Sequence, residues 1–441
     1  MAIALTATSA TAETLTDALI AAYRSSGLLE QNRALLRATD EDVAQAVAAL
    51  RPVLSWVATS RYAEPTQGDE ITGSVGLDAS LLLYDFGASR LNVDIQKETV
   101  LATRAALIGV EQQVLLRAVA AFLGVRRESA FVSLRENNLR LIQEQLRAAQ
   151  DRFEVGEITR TDVSIAEARL ASARSGLAAA QGALTRAIAE YVSVTGNTPG
   201  QLQPPPPAPA SAATLNDAIA IAMSREPSLE QRQREVTAAE LAVTAAQARL
   251  RPSLNARAGI DLDDDGDDSS SLTLELSGPI YRGGQLSSQI RQQRARAEAS
   301  RAVLLTTGQD VEQGVRNAWA DLNVAAASLA ASNEEVRAAQ LALRGAREEF
   351  NVGARTTLDV LDLEQDLLDA QTNRVAAEID RTQAVYGLLE AMGLLTVDHL
   401  QLGIPTYDPA AYYNAVEGAP TRNVSPQGEQ LDRVLRSLGR E

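Results

Sequence analysis

Residues 153–163 read FEVGEITRTDV, and residues 350–360 read FNVGARTTLDV. Both copies share Phe-x-Val-Gly followed by Asp-Val at the same spacing, and each lies between two long helical patterns. A helix can end in the left-handed conformation at Gly156 and Gly353, and the threonines that follow can cap the next helix. We therefore predict that residues 153–162 and 350–359 are the tips of two helical hairpins.

The chain is an internal duplication around these tips. Leu50-Arg51-Pro52 matches Leu250-Arg251-Pro252, and Gly156 matches Gly353. A proline-rich segment separates the two copies, which indicates an extended connector. The predicted divisions are a residual signal sequence or disordered start at 1–13, a first repeat at 14–195, the connector at 196–213, a second repeat at 214–395, and an irregular segment and tail at 396–441.

Each repeat contains a predicted β-hairpin, at 52–86 and 252–283. Apolar and polar residues alternate along these strands, so each hairpin has one apolar face. That face could pack on a core, as in ordinary soluble hairpins, or it could contact lipid. Two hairpins give only four strands, which cannot close a barrel, and open edges are not tolerated in lipid. In a membrane, several chains would therefore have to share one barrel.

Long helical patterns without internal proline follow both hairpins, from about 88 to 152 and from 285 to about 350. At 1.5 Å per residue each would extend about 96 Å, far beyond a bilayer core of about 30 Å. We predict that they pack along each other as in a coiled coil, with return helices near 161–194 and 357–395. The expected fold class is mainly α with a small β part.

Composition excludes several kinds of function. The chain has no cysteine, a single histidine (His399) and a net charge of −16. Thiolate chemistry, multi-histidine metal sites and a Ser-His-Asp triad are therefore not expected, and nucleic-acid binding would need a basic face. We predict no enzyme activity and no cofactor or metal.

Four aspartates follow the second tip at spacings of three, four and three, which places them on one helix face. They are Asp359, Asp362, Asp366 and Asp369. Such a stripe is most often a solvated acidic face. In a symmetric oligomer it could instead form stacked carboxylate rings, which select cations in pores. The residues alone leave both interpretations open.

The duplicated order of β-hairpin, long helix, Val-Gly tip and return helix resembles the TolC-like outer-membrane efflux and type I secretion channels of Gram-negative bacteria. The similarity covers essentially residues 14–395, and its most specific part is Val352-Gly353-x-Arg355-Thr356-x-x-Asp359-Val360-Leu361-Asp362. It implies a homotrimer with a shared twelve-stranded β-barrel in the outer membrane and a helical α-barrel across the periplasm. It also implies a passive conduit for drugs, small molecules or secreted protein, recruited by a periplasmic adaptor (membrane fusion protein) and an inner-membrane pump of the RND or ABC type.

The resemblance further implies a gate at the periplasmic tip. Arg355 would link to Thr161 and Asp162 on the other hairpin and hold the entrance shut. Phe350 occupies a position at which the best-studied channel of the family has a tyrosine, so one gate hydrogen bond lacks its donor here.

Two other roles follow from the same resemblance. Asp359 and Asp362 would form the selectivity rings at the entrance, and we expect Asp366 and Asp369 to continue them. The adaptor would contact the tips at Val155-Gly156 and Val352-Gly353. The alternative is a periplasmic coiled-coil adaptor or scaffold without a pore, but such a protein would leave the lipid-type alternation of the strands unexplained.

Overall fold

The computed structural model describes residues 13–63, 70–206, 209, 212–420 and 433. The predicted signal-like start, part of the connector and most of the tail lie outside these residues. The elements within them are, in chain order, α1 Leu15–Ser25, α2 Gly27–Ala48, β1 Val53–Ala63, β2 Glu70–Tyr84, α3 Ala88–Glu154, α4 Arg160–Thr195, α5 Leu215–Arg225, α6 Pro227–Ala248, β3 Ser253–Asp263, β4 Asp268–Ser277, α7 Gln285–Asn351, α8 Thr357–Ala391 and α9 Pro409–Val416.

The four strands form one antiparallel sheet in the order β1-β2-β3-β4. Its register aligns the apolar residues of all four strands on one face: Trp56 lies opposite Leu77, and Leu77 lies opposite Ile260. This face is open, with Trp56 74% exposed and Leu272 of β4 78% exposed. The other face is polar, since Asp78 lies beside Ser55 and Gly259. The predicted fold class, mainly helical with a small sheet, is confirmed.

The helices differ in length according to their place in the chain. The helices that follow the hairpins, α3 and α7, have 67 residues each, which corresponds to about 100 Å. The return helices α4 and α8 have 36 and 35 residues. The C-cap of α4 is Gly196, whose φ of 75° is favourable only for glycine.

The chain divides into two compact units. One consists of Met1–Glu30, Gly109–Glu226 and Asp310–Pro405. Within it α1 packs on α4, and its core contains fully buried side chains such as Leu15, Phe122 and Leu388. The other consists of Gln31–Ile108, Pro227–Gln309 and Thr406–Glu441 and includes the sheet.

One stretch of α3 is long and apolar enough by composition to cross a membrane. Leu115, Val119 and Phe122 of α3 are fully buried by other parts of their unit. We assign the apolar character of α3 to this core, because a buried core helix meets the same criterion.

The C-terminal segment is more regular than expected, since it contains the short helix α9. Asp408 caps this helix, with Pro409 at its first position. Tyr412 of α9 donates a hydrogen bond of 2.6 Å to Glu41 of α2. Its ring packs against Ala44, so the segment is fixed by aromatic burial as well as by this bond.

Candidate functional site

Both hairpin tips have the same backbone geometry. At the first tip Gly156 has φ of 79° and donates to the Phe153 carbonyl at 3.0 Å, while Glu157 donates to the Arg152 carbonyl at 2.9 Å. The second tip repeats this pattern around Gly353, whose φ is 78°. The paired bonds form a Schellman motif, which satisfies the last carbonyls of a helix and needs a left-handed residue. The two glycines are therefore backbone requirements.

A capping box starts each return helix. Thr159 donates to the Asp162 carboxylate from its backbone N–H at 2.9 Å and from its hydroxyl at 2.7 Å, and the Asp162 N–H donates back. Thr356 and Asp359 form the same bonds at α8. The hydrogen bonds from these threonines hold the pKa of Asp162 and of Asp359 below the usual aspartate range. Both carboxylates are thus ionised at neutral pH.

The remaining aspartates of the stripe are exposed on α8. Asp362, Asp366 and Asp369 share one face, while the opposite side of the helix is buried through Leu361 and Leu368. Asp362 forms an ion pair with Arg169 of α4, and Asp369 accepts a bond of 2.8 Å from Gln365. The stripe is a continuous acidic surface in one chain, and its arrangement into rings stays a prediction.

Arg355 has a local partner at the second tip. Its Nε donates to Glu349 at 2.5 Å, and this bond raises the pKa of the guanidinium. Among the described residues of one chain, Arg355 does not contact Thr161 or Asp162. The link between hairpins stays a prediction, and it would require Arg355 to exchange Glu349 for another acceptor.

Phe350 connects the two tips without a hydroxyl. The guanidinium carbon of Arg152, at the end of α3, lies 4.5 Å from the centroid of the Phe350 ring. A cation over an aromatic face at this distance is a favourable contact. Phe350 therefore links α3 and α7 through a cation–π contact, and its part in the gate stays a prediction.

Sequence reasoning missed a buried polar network just inside the tips. Glu364 of α8 accepts hydrogen bonds from Arg347 of α7 at 2.9 Å and from Gln145 of α3 at 3.4 Å. The Glu364 side chain is only 2% exposed, whereas that of Arg347 is 43% exposed. One signal in the sequence could have indicated the burial of Glu364. It lies two residues after Asp362, so its side chain points to the side of α8 opposite the acidic stripe.

The predicted adaptor-contact residues are the most exposed apolar side chains of the tips. Val155 is 72% exposed and Val352 is 80% exposed. No described residue covers them, and each lies beside its tip glycine. Their accessibility is compatible with a docking role, which stays a prediction.

Known proteins of one family match this chain. The sequence matches the family described as "Outer membrane efflux protein" at residues 21–197 and 218–394. It is 38% identical to the outer membrane efflux protein BepC of Brucella suis over 421 residues. This alignment covers 94% of this chain and 92% of BepC. It is also 29% identical to TolC of Escherichia coli over 133 residues, which is 29% of this chain and 27% of TolC.

Solved structures share the fold. The CmeC outer membrane channel of Campylobacter jejuni superimposes with a TM-score of 0.79 at 13% identity, over 94% of this chain and 91% of CmeC. VceC of Vibrio cholerae superimposes with a TM-score of 0.75 at 20% identity, over 86% of this chain and 96% of VceC. With the duplicated architecture, these matches show that the chain belongs to the outer membrane efflux protein family of TolC-like channels and is located in the outer membrane.

Proposed function

We propose that three copies of this chain form a passive, gated channel-tunnel that conducts substrates from a periplasmic adaptor and an inner-membrane pump to the exterior. The observation that carries this proposal is the sheet. Its apolar face is covered by no described residue, and its outer strands β1 and β4 have unpaired edges. Both features are unfavourable unless lipid covers the face and neighbouring chains pair the edges.

The dimensions of the strands agree with this arrangement. Strands β1 and β3 have 11 residues each, which corresponds to about 36 Å of extended chain. Tilted by about 40°, as in membrane barrels, such a strand rises about 28 Å, which is close to the hydrocarbon thickness. Pairing β4 of one chain with β1 of the next three times gives a closed barrel of twelve strands.

The tips supply the proposed entrance and gate. In a trimer the exposed face of α8 would bring three copies of Asp359, Asp362, Asp366 and Asp369 around one axis, and such rings favour cations. Arg355 would hold the closed state through Thr161 and Asp162 of another hairpin, and the adaptor would dock on Val155 and Val352. The chain itself would carry out no chemistry, and the energy would come from the pump.

Single-channel recording in a planar bilayer tests this function. Wild-type protein purified in detergent should give a small, cation-selective conductance. Asp359→Asn/Asp362→Asn should lose most of the selectivity while keeping the helix start, because Thr356 stays as the N-cap and an asparagine side chain at N3 still offers an oxygen to the Thr356 N–H. Asp310→Asn/Asp321→Asn serves as a charge-matched control, because both aspartates are exposed on α7 far from the tip.

Two outcomes would contradict the proposal. A water-soluble protein without conductance would favour the periplasmic scaffold. An unchanged selectivity in the double variant would show that the acidic stripe does not line the narrowest point.

A further inference from the structure

We propose that the channel carries a second charged site, a basic ring that binds anionic groups of passing solutes where the sheet joins the helices. This inference rests on the proposed trimeric channel. Its basis is a cavity of about 640 Å³, here called the junction cavity, formed where α2 and α6 lead into strands and where α3 and α7 begin. Three arginines line it: Arg249, Arg251 and Arg282.

The charge of the junction cavity is positive. Asp85 is the acidic residue among its lining residues, and the Asp85 carboxylate already accepts backbone N–H bonds from Gly87 at 3.1 Å and Ser89 at 2.7 Å. In the part of the chain that the structure describes, Arg249 and Arg282 have no carboxylate partner. Both arginines are exposed, so they can bind an anion from solution.

The strand residues of the cavity show which face it occupies. Ser253 and Ser277 are paired across β3 and β4, and Leu82 is paired with Asn255. All of them lie on the polar face, because successive side chains of a strand alternate and the flanking leucines occupy the lipid-type face. The junction cavity therefore opens on the face that would line the barrel interior.

The duplication indicates that Arg249 and Arg282 are not required by the fold. Arg249 corresponds to Ala49 in the first repeat, and Arg282 corresponds to Asp85. Arg51, the counterpart of Arg251, instead donates to the backbone carbonyls of Gly418 and Ala419. Ala49 and Asp85 line the same cavity, so all of its positive charge comes from the second repeat.

The chemistry of guanidinium groups defines the ligand class. Arginine binds carboxylate and phosphate in a bidentate manner, and clustered arginines favour anions with several negative charges. Elsewhere the polar face carries Asp78 and Asp261 among small polar residues, and the whole chain has a net charge of −16. In a trimer the three junction cavities would together hold nine arginines. These would form a basic ring within an acidic channel.

Block of the single-channel current by anions tests the site. Citrate and inorganic triphosphate are added separately on the extracellular side of wild-type channels. We expect reversible block, with the half-blocking concentration raised about tenfold in Arg249→Gln/Arg282→Gln; Arg251 is kept because its guanidinium lies over the Phe86 ring. The control Arg257→Gln removes an arginine of the polar face outside the junction cavity and should leave the block unchanged.

The outcomes separate this site from the channel itself. Wild-type channels that conduct but are not blocked, or a block that is equal in the double variant, would overturn the basic ring and leave the channel intact. If the double variant fails to insert, Arg249→Gln and Arg282→Gln are each compared singly with wild type, and no change in either overturns the site. Wild-type protein without conductance would overturn both proposals.

Discussion

The buried network of Arg347, Glu364 and Gln145 predicts an asymmetric response to mutation. Removing Arg347 leaves a carboxylate that is 2% exposed without its cation, whereas removing the charge of Glu364 leaves an arginine that is 43% exposed and can be hydrated. We therefore expect Arg347→Met to loosen the start of α8 much more than Glu364→Gln does. Both changes keep side-chain volume nearly constant, so packing is not the main variable.

The geometry sets the expected magnitudes. Breaking a buried ion pair costs about 3–5 kcal/mol when the remaining charge stays buried, and the exposure of Arg347 places this site at the lower end, at about 3 kcal/mol. Glu364→Gln retains an acceptor for Arg347 and Gln145, so we expect a loss of about 1 kcal/mol. At about 1.4 kcal/mol per factor of ten, the two variants should open this segment roughly 100-fold and fivefold more often.

Amide hydrogen exchange of residues 360–370 in detergent-purified protein measures this local opening. The matched control is Arg316→Met, because Arg316 forms an exposed i,i+4 pair with Glu312 on the same helix α7. Exposed pairs contribute only about 0.3–0.5 kcal/mol, so exchange near α8 should not change. Equal protection in Arg347→Met and Arg316→Met would refute the argument that this network holds α8 in place.

Three further predictions concern other parts of the chain. Gly393→Ala should lower the thermal midpoint by several degrees, because a Cβ there would lie 2.7 Å from the Arg225 carbonyl oxygen. Gly353→Ala should have a smaller effect, because Gly353 has a similar φ but no atom lies close to the position of its Cβ. Burial raises the pKa of Asp40 to about 7 in the folded protein. The protonated carboxyl therefore stabilises the fold fully below about pH 4, and this stabilisation is lost as the pH rises through about 7. The thermal midpoint should accordingly depend less on pH in Asp40→Asn than in the wild-type protein. Ala58→Lys on the apolar face should reduce outer-membrane yield, since a lysine in lipid costs about 2–4 kcal/mol, while Thr59→Lys on the polar face should not.

The sequence predicts those features that depend on local rules. The tips follow from Gly156 and Gly353, because a left-handed residue and a capping threonine are needed wherever one helix turns back into another. The single apolar face of the sheet follows from alternation along the strands. Duplication strengthens both predictions, since each pattern is present twice.

The partners of charged side chains could not be predicted in the same way. Asp362 and Glu364 belong to one acidic stretch, yet the first pairs with Arg169 on the surface and the second is buried against Arg347. Which of them is buried depends on the direction from which α3 and α7 approach α8. Spacing within α8 places the two side chains on opposite sides of the helix, but only the packing of the helices determines which side is buried.

The acidic residues at the two tips provide the sharpest test of whether the stripe has a pore function. Asp162 and Asp359 occupy the same position in identical capping boxes, with threonine bonds of 2.9 and 2.7 Å in both. Capping alone therefore explains both carboxylates, and a ring role must be shown beyond it. Asp162→Asn and Asp359→Asn should lower helix stability equally and only slightly, because each removes one charge near a helix N-terminus and leaves the capping threonine in place. Only Asp359→Asn should lower the cation selectivity of the channel, because only Asp359 continues into the exposed stripe of α8. Equal loss of selectivity in both variants would mean that the cap shapes the entrance and that the charge of Asp359 does not act on the permeating ion.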